Sequence, residues 1–317
     1  MYLALRKYFA RKLVIMKPVE QSQKMNARKR GNKFGFWFFK ALLKLFGLRK
    51  TYGFLYIVCL YYLLFDRPAV SAALSYINKR FPDCGYLIRL LHVYRLFISQ
   101  GKQLIDRYAS VAGHTKFDIQ LNGYNELMAL LQNNKQGIIL LTSHVGSWQI
   151  ALTALKKVGR TVYLLMRPED NIAVQSSLNI DREQDNIKII SPEQYLGGIV
   201  EIMDVLKKGH IVSIMGDRRY GAKSVEVAFL GEKALFPFSG FAVAAAVESP
   251  VVVLLSNKVS AHKYIVDVSN VIYPRYDGKY NKRQQLHQWV QNYVEIIEAF
   301  VKNYPYQCFL FHDVWSG

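Results

Sequence analysis

The sequence predicts an α/β fold: a largely parallel, mixed sheet flanked by helices, with a hydrophobic helix ahead of it. Beyond residue 117, short apolar runs alternate with segments of helical periodicity. Such alternation is typical of parallel sheets, because parallel neighbours need a helical crossover between them. Polar turns that contain glycine follow several of the apolar runs, at the sheet edge where open α/β proteins bind their ligands.

Charge and hydropathy divide the chain into three regions. We expect a basic, irregular tail over residues 1–33, a hydrophobic membrane-associating helix over 34–66 and the α/β domain over 67–317. Residues 1–50 hold 14 of the 42 Lys and Arg but one of the 23 acidic residues. A basic end beside an apolar stretch indicates anionic lipid or a positive-inside orientation. Nucleic acid is the rival partner for a basic chain, but no nucleic-acid module is recognisable.

The apolar helix has two unlike halves. Lys40 and Lys44 lie one turn apart in the first half, which is typical of an amphipathic helix in a membrane interface. Residues 51–65 carry no charge, but this stretch is shorter than the ~20 residues of a full span. We therefore expect one bent, partly inserted helix that ends before Pro68. A single crossing and an internal core helix are the alternatives.

The remaining elements follow from apolar periodicity. Residues 137–142 are a short apolar run with two adjacent isoleucines, as in a buried strand, and residues 148–157 change to helical spacing. By the same criteria, helices are expected over 70–80, 86–111, 125–131, 192–207, 240–248 and 281–303, and strands over 117–121, 161–166, 187–190, 210–215, 224–230, 251–256, 264–271 and 306–311.

His144 stands between a predicted strand and a predicted helix, in the sequence SHVGSWQ. Unpaired N–H groups and the partial positive charge at the amino end of that helix favour a neutral, basic imidazole. A general base is the role we expect for His144, and a purely structural histidine is the alternative.

Four further clusters lie at strand ends or tight turns. Arg167 opens a polar segment after one strand, and Asp217 and Arg218 follow another. Gly231 and Gly240 border a Phe-Pro-Phe-Ser segment and are expected to serve turns and packing, and the last cluster covers residues 304–315. A planar guanidinium fits phosphate oxygens, so both arginines are candidate ligand contacts; an internal ion pair is the alternative for each.

The cysteine and histidine patterns exclude several kinds of site. The 3 cysteines form no CxxC motif and the 7 histidines form no HExxH motif, so we expect neither a disulfide framework nor a metal site. The sequence also lacks GxGxxG and a P-loop, which disfavours nucleotide binding. No cofactor is expected.

Taken in order, these segments resemble the lipid A biosynthesis acyltransferases, the lauroyl/myristoyl transferase family within the glycerolipid-type acyltransferases with a His-x4-acid motif. The resemblance covers roughly residues 31–315. It rests on SHVGSW at His144, LLMRP at Arg167, GDR at Asp217, FLGEKALFPFSG and the terminal YPYQCFLFHDVW. A basic amino end followed by one apolar helix adds to it.

This resemblance implies a glycerolipid-acyltransferase-like fold and transfer of a fatty acyl chain from an acyl thioester to a lipid hydroxyl. His144 would take the proton of the acceptor, and helix-end N–H groups near residues 146–148 or a nearby arginine would hold the oxyanion. The candidate substrate contacts are Gly146, Ser147, Arg167, Asp217 and Arg218.

One position departs from the family pattern. The acid expected five residues after the histidine is Gln149. Its amide oxygen can accept a hydrogen bond from a ring N–H, but it supplies no negative charge. Gln149 is therefore expected to be the catalytic partner of His144, unless Asp217 or Glu169 substitutes for the acid.

We therefore expect an acyltransferase at the cytoplasmic face of a bacterial inner membrane, either peripheral or held by a single N-terminal span. Its partners would be membrane lipids and an acyl carrier protein or acyl-coenzyme A donor, and its acceptor a lipid A precursor or related glycolipid. Two alternatives stay open. One is a lysophospholipid or other lipid acceptor, and the other is a weak or inactive relative that binds lipid or scaffolds a membrane biosynthetic complex.

Overall fold

The computed structural model describes residues 33–134, 136–155, 158–166, 187–193, 198–218, 224–278, 281–310 and 314–315. The basic tail predicted over residues 1–33 therefore lies outside the described residues, apart from Lys33. The chain divides into two compact units, Met1–Ala41 and Leu42–Gly317. The whole sheet belongs to the second unit.

Three helices precede the sheet: α1 (Lys33–Phe65), α2 (Arg67–Arg80) and α3 (Tyr86–Val111). Gly47 interrupts α1 with φ 72° and ψ 177°, so α1 consists of two helical segments joined at a kink. The expected bend is confirmed. Asp66 begins α2 by accepting the Ala69 N–H at 3.0 Å, and Pro68 occupies the first turn of that helix.

The second segment of α1 packs against α3 with one face. Leu55 fills the space over Gly101, where an added Cβ would lie 2.5 Å from the Leu55 Cδ1 atom. The Tyr94 hydroxyl of α3 donates to the Tyr56 carbonyl at 3.0 Å. The contacts run antiparallel, so the end of α1 points towards the start of α3.

This helix pair also carries an exposed apolar surface. We call it the exposed apolar face; it comprises Leu45, Phe46, Phe54, Tyr56, Ile57, Leu60, Tyr61, Leu64 and Phe65 of α1 and Tyr86, Leu87, Ile88 and Leu91 of α3. Among the described helices, none is by itself long and apolar enough to cross a membrane. The part of α1 from Trp37 and α2 meet that criterion of length and composition only as a pair, bent by 94° at their junction.

Seven strands form one sheet in the order β1-β9-β8-β2-β5-β3-β4, and β6 and β7 form a separate hairpin. The strands are β1 (Asp118–Asn122), β2 (Ile138–Thr142), β3 (Val162–Leu165), β4 (Ile187–Ile190), β5 (Ile211–Met215), β6 (Ser224–Phe229), β7 (Glu232–Pro237), β8 (Val251–Lys258) and β9 (Lys263–Ile272). The neighbours β8-β2-β5-β3-β4 are parallel. β9 runs antiparallel to β8, and β1 runs parallel to β9. The predicted largely parallel, mixed sheet is thereby confirmed.

Helices cover both faces of the sheet. They are α4 (Tyr124–Asn133), α5 (Trp148–Leu155), α6 (Ile199–Lys207), α7 (Ser239–Val247) and α8 (Lys282–Asn303). On β2, Ile138 and Leu140 join the core cluster that contains residues of α4 and α5. Leu141 points to the opposite side, where Gly240 of α7 comes close enough that an added Cβ would touch it at 3.6 Å. Alternate side chains of one strand thus fill two cores.

Two sequence-based assignments differ from the structure. The strand predicted over residues 306–311 is wrong where the chain is described: a 3₁₀ turn covers Pro305–Gln307, and Cys308 makes only an isolated antiparallel bridge to Val145. Strand β7 was not predicted, because its Glu-Lys-Ala-Leu-Phe-Pro sequence lacks strict alternation. A two-residue turn creates it: Leu230 and Gly231 both have positive φ, 52° and 79°, as hairpin turns of this length require.

Candidate functional site

The site is built where two neighbouring parallel strands end. Thr142, the last residue of β2, is the register partner of Met215, the last residue of β5. Beyond this pair the Gly216 N–H donates to the Thr142 carbonyl at 2.7 Å, so the two segments remain hydrogen-bonded one residue past the strands. His144 and Asp217 follow two residues after each strand and therefore meet at the carboxyl edge of the sheet.

Asp217 contacts His144 with a single oxygen. Its Oδ2 atom accepts the backbone N–H of His144 at 2.8 Å and lies 2.9 Å from the ring Nδ1. The Asp217 side chain is fully buried, whereas that of His144 is 22% exposed. A carboxylate can only accept hydrogen bonds, so this contact places the ring proton on Nδ1 and the basic lone pair on Nε2. The geometry thus fixes the tautomer that a general base needs.

A buried tyrosine of α8, Tyr293, contacts the ends of the same two strands. The Tyr293 hydroxyl of α8 donates to the Thr142 carbonyl at 3.3 Å. Gly216 packs against this ring: an added Cβ would lie 2.5 Å from the Tyr293 hydroxyl oxygen and 2.8 Å from the Leu141 Cγ atom. Burial, and secondarily the charge of Asp217, raise the pKa of Tyr293 well above 10, which keeps its hydroxyl protonated as a donor.

The carboxyl-terminal segment also contacts the histidine turn, the residues 143–147 that join β2 to α5. The Phe309 N–H donates to the His144 carbonyl, and the Gly146 N–H donates to the Gln307 carbonyl, both at 2.7 Å. Val145 and Cys308 pair between these two bonds. The cluster at residues 304–315, whose role the sequence left undefined, therefore contributes the clamp that positions His144.

The structure shows Gly146 as a packing residue of this turn. Its φ is +70°, and an added Cβ would lie 1.8 Å from the Ser256 carbonyl oxygen on β8. Its N–H donates to the Gln307 carbonyl, which leaves the other N–H groups near residues 146–148 or a nearby arginine as the predicted oxyanion donors. Ser147, also expected to contact substrate, is 4% exposed and its carbonyl accepts the Ala151 N–H at 3.1 Å, the first hydrogen bond of α5.

Gln149 lies in the first turn of α5 and is half-buried. In the described part of the chain, no hydrogen bond joins it to His144; the ring contacts Asp217 instead. Of the acids considered from the sequence, Asp217 therefore occupies the partner position. Glu169 and the candidate ligand contact Arg167 lie outside the described residues, and Arg218 is exposed directly beside Asp217.

The described residues contain no group of three or more His, Cys, Asp or Glu suited to hold a metal ion. Three cysteines, at positions 59, 84 and 308, are free thiols. The chemistry that this arrangement itself can perform is proton transfer at Nε2 of His144.

A mixed sheet that presents a histidine and a buried aspartate at the carboxyl ends of its parallel strands defines a class: α/β proteins built for proton transfer at an open sheet edge. The chain matches the family model of the bacterial lipid A biosynthesis acyltransferases over residues 108–316, and it belongs to this family. Membership makes the protein an acyltransferase and confirms the family identified from the sequence. A search of curated proteins finds none that matches the chain.

Proposed function

We propose that this acyltransferase moves a fatty acyl chain from an acyl thioester to a hydroxyl of a lipid A precursor or related glycolipid, at the cytoplasmic face of a bacterial inner membrane. The observation that carries the proposal is the contact between His144 and Asp217, which directs ring Nδ1 at the carboxylate and leaves Nε2 for the substrate. The donor is an acyl carrier protein or coenzyme A thioester, and the reaction needs no cofactor.

The chemistry follows from this orientation. Nε2 of His144 takes the proton of the acceptor hydroxyl as its oxygen bonds to the thioester carbonyl carbon. The carbon–sulfur bond of the resulting tetrahedral species then breaks, and the imidazolium returns the proton to the departing thiolate. The Asp217 carboxylate stabilises the imidazolium between the two steps. A positioned general base of this kind contributes about 10²–10⁴ in rate.

Cationic side chains near the site suit the charges of both substrates. Arg218 is exposed and adjacent in sequence to the buried Asp217, so it stands at the same sheet edge as the histidine. Arg167 is retained as a second candidate from the sequence pattern. A guanidinium offers paired donors to the phosphate of a carrier or of an acceptor headgroup.

The exposed apolar face supports a location at the membrane surface. Its thirteen large side chains all project from α1 and α3 within the same unit as the catalytic pair. Monomeric soluble proteins rarely expose apolar patches of such extent. The surplus of Lys and Arg in residues 1–50 favours attraction to anionic lipids.

Acyl transfer by purified protein tests the proposal. Wild type and His144→Ala are each given labelled acyl-carrier protein or acyl-coenzyme A with total bacterial lipid, and label in lipid is followed by mass spectrometry. We expect a new acylated lipid from wild type alone, and its mass identifies the acceptor. An acylated lysophospholipid would replace the glycolipid acceptor with the alternative one.

The same assay also tests the non-catalytic alternative. An inactive relative that binds lipid or scaffolds a membrane complex would transfer no label with any donor, and His144→Ala would bind lipid as well as wild type. If Gln149→Glu transferred label and wild type did not, the glutamine at position 149 would be the cause of the low activity of the wild-type enzyme.

A further inference from the structure

A pocket adjoins the turn that carries His144, through Gln307. The backbone carbonyl of Gln307 accepts the Gly146 N–H of that turn, while Gln307 also lines a pocket of about 550 Å³. Helix α3, the connection between β8 and β9 and the segment 303–307 form its walls. The described residues that line it include neither His144 nor Asp217, so it is separate from the proposed catalytic site.

Three cations line this pocket. Arg95 and Lys102 lie two turns apart on α3, and Lys258 ends β8. Within the described residues, Arg95 and Lys102 contact neutral groups rather than carboxylates. Arg95 lies over the Tyr306 ring and donates to its hydroxyl at 3.3 Å, and Lys102 donates to the Tyr56 hydroxyl at 3.1 Å. Their positive charges are thus left facing the pocket.

The nearby carboxylate is already occupied. Asp106 is fully buried and accepts hydrogen bonds from the Tyr52 hydroxyl, the Tyr264 hydroxyl and the Lys258 ammonium. The Lys258 Nζ atom lies 4.8 Å from the centre of the Tyr264 ring. This cluster fixes Lys258 in place and has no capacity left to neutralise the two cations on α3.

We propose that this pocket is a binding site for a phosphate-type anion, carried either by a phospholipid headgroup or by a soluble phosphate ester. Arg95 supplies a planar pair of donors, Lys102 supplies a point charge, and Ser99 supplies a hydroxyl between them on the same helix face. Leu91 of the exposed apolar face precedes Arg95 by one turn, so a lipid in the membrane surface has a short path to the pocket.

Phosphate titration of the full-length protein tests the site. Heat of binding is measured with inorganic phosphate and with glycerol 3-phosphate, with chloride holding the ionic strength constant. The double variant Arg95→Gln/Lys102→Gln is compared with Lys207→Gln/Arg283→Gln, which removes the same charges from exposed positions on α6 and α8. We expect a saturable binding phase that weakens about tenfold or more in the first variant and is unchanged in the second.

A charge-conserving variant distinguishes a loss of binding from a loss of folding. Arg95→Lys/Lys102→Arg keeps both charges, so it should bind phosphate within a few-fold of wild type. The proposal is overturned if Arg95→Gln/Lys102→Gln binds phosphate like wild type, if the matched control loses binding equally, or if binding never saturates.

Vesicle flotation identifies the source of the anion. Phosphatidylcholine vesicles with and without phosphatidic acid are offered to the same variants. A loss of the phosphatidic-acid-dependent fraction in Arg95→Gln/Lys102→Gln alone assigns the pocket to lipid headgroups. A loss of phosphate binding with unchanged flotation assigns it to soluble esters. Either result supports an anion site, whereas no effect in both experiments contradicts it.

Discussion

One carboxylate oxygen of Asp217 accepts both the backbone N–H and the ring Nδ1–H of His144, at 2.8 and 2.9 Å. The two residues are 73 positions apart in the chain and meet because β2 and β5 are parallel neighbours in register. Since the same oxygen contacts the main chain and the ring, Asp217 fixes the orientation and the tautomer of the imidazole together. Under the proposed function, Asp217 would supply the acid that the sequence motif lacks at position 149.

Gly146→Ala should disrupt the histidine turn. A side chain at φ +70° costs about 1–2 kcal/mol in any surroundings, and here the Cβ would lie 1.8 Å from the Ser256 carbonyl oxygen. We expect the free energy of unfolding to fall by more than about 2 kcal/mol and acyl transfer to be lost with the displaced His144. Chemical denaturation and the transfer assay measure both effects.

Gly278→Ala is the matched control for that turn. Gly278 has a similar φ of +74°, but an added Cβ would meet no described atom within 4 Å. It should show the conformational cost alone, about 1–2 kcal/mol, with normal transfer. Equal losses in the two variants would show that the contact with Ser256 is unimportant.

Asp106→Asn should destabilise the protein strongly. The substitution keeps the shape but removes the charge that Lys258 contacts, and the Lys258 side chain is only 10% exposed. Leaving such a cation without its partner typically costs about 3–5 kcal/mol, and Asp106→Asn/Lys258→Met should recover part of that. Asp204→Asn, which breaks an exposed pair with Lys208, should change stability little. A small effect at Asp106 would mean that water reaches the Lys258 ammonium.

Buried tyrosines predict that stability falls at alkaline pH. Burial raises the pKa of Tyr52, Tyr76, Tyr264 and Tyr293 far above 10. In the unfolded chain tyrosines lose their proton near pH 10, so above that pH the folded state binds more protons and the free energy of unfolding decreases. Below pH 10 both states are protonated, and the contribution stays constant.

Lys258 has the opposite effect on the free energy of unfolding, over a narrower pH range. Burial lowers the pKa of its ammonium, so between that pKa and the unfolded value near 10.4 the unfolded state binds more protons and stability rises with pH. Burial also raises the thiol pKa of Cys59 and Cys308 to about 12, so these thiols lower stability from about pH 8.5. Urea unfolding from pH 8 to 11 should therefore show a decline that steepens above about pH 10. Tyr76→Phe should reduce its slope by up to about 1.4 kcal/mol per pH unit, and the exposed Tyr86→Phe should not. Equal slopes in both variants would contradict the assignment.

Leu87→Asp should weaken binding to lipid vesicles. Leu87 is 79% exposed at the start of α3, within the exposed apolar face. A charge there opposes insertion into the interface, and losing a buried leucine costs about 1.5–3 kcal/mol of binding free energy. Val200→Asp is the control, since Val200 is 57% exposed on a different helix, α6. Co-sedimentation with anionic vesicles measures both; parallel losses would argue against this face as the contact.

The apolar runs predicted the sheet well because burial on both faces makes parallel strands continuously hydrophobic. Strand β4 begins and ends at the predicted residues, and β2 differs by one residue. Strand β7 and the turn at Pro305 were missed for a different reason. Both depend on local turn geometry and on tertiary contacts, such as the bridge between Val145 and Cys308, rather than on periodicity.

The partner of His144 could not be chosen from the sequence, because the choice requires the strand order. Only the adjacency of β2 and β5 brings residue 217, rather than 149 or 169, to the ring Nδ1. The sequence did carry a signal: a Gly-Asp pair directly after a buried strand. No sequence signal indicated that the Gly146 N–H is hydrogen-bonded, because its acceptor is the distant carbonyl of Gln307.

The rate of acyl transfer by Asp217→Asn, set beside Gln149→Ala, decides which of the two residues is the partner of His144. With Asp217 as the acid of His144, Asp217→Asn should lower turnover by about 10²–10⁴, by analogy with the serine-protease triad, while KM changes little. Gln149→Ala should stay within a few-fold of wild type. The reverse ranking, with Gln149→Ala inactive and Asp217→Asn near normal, would contradict the account.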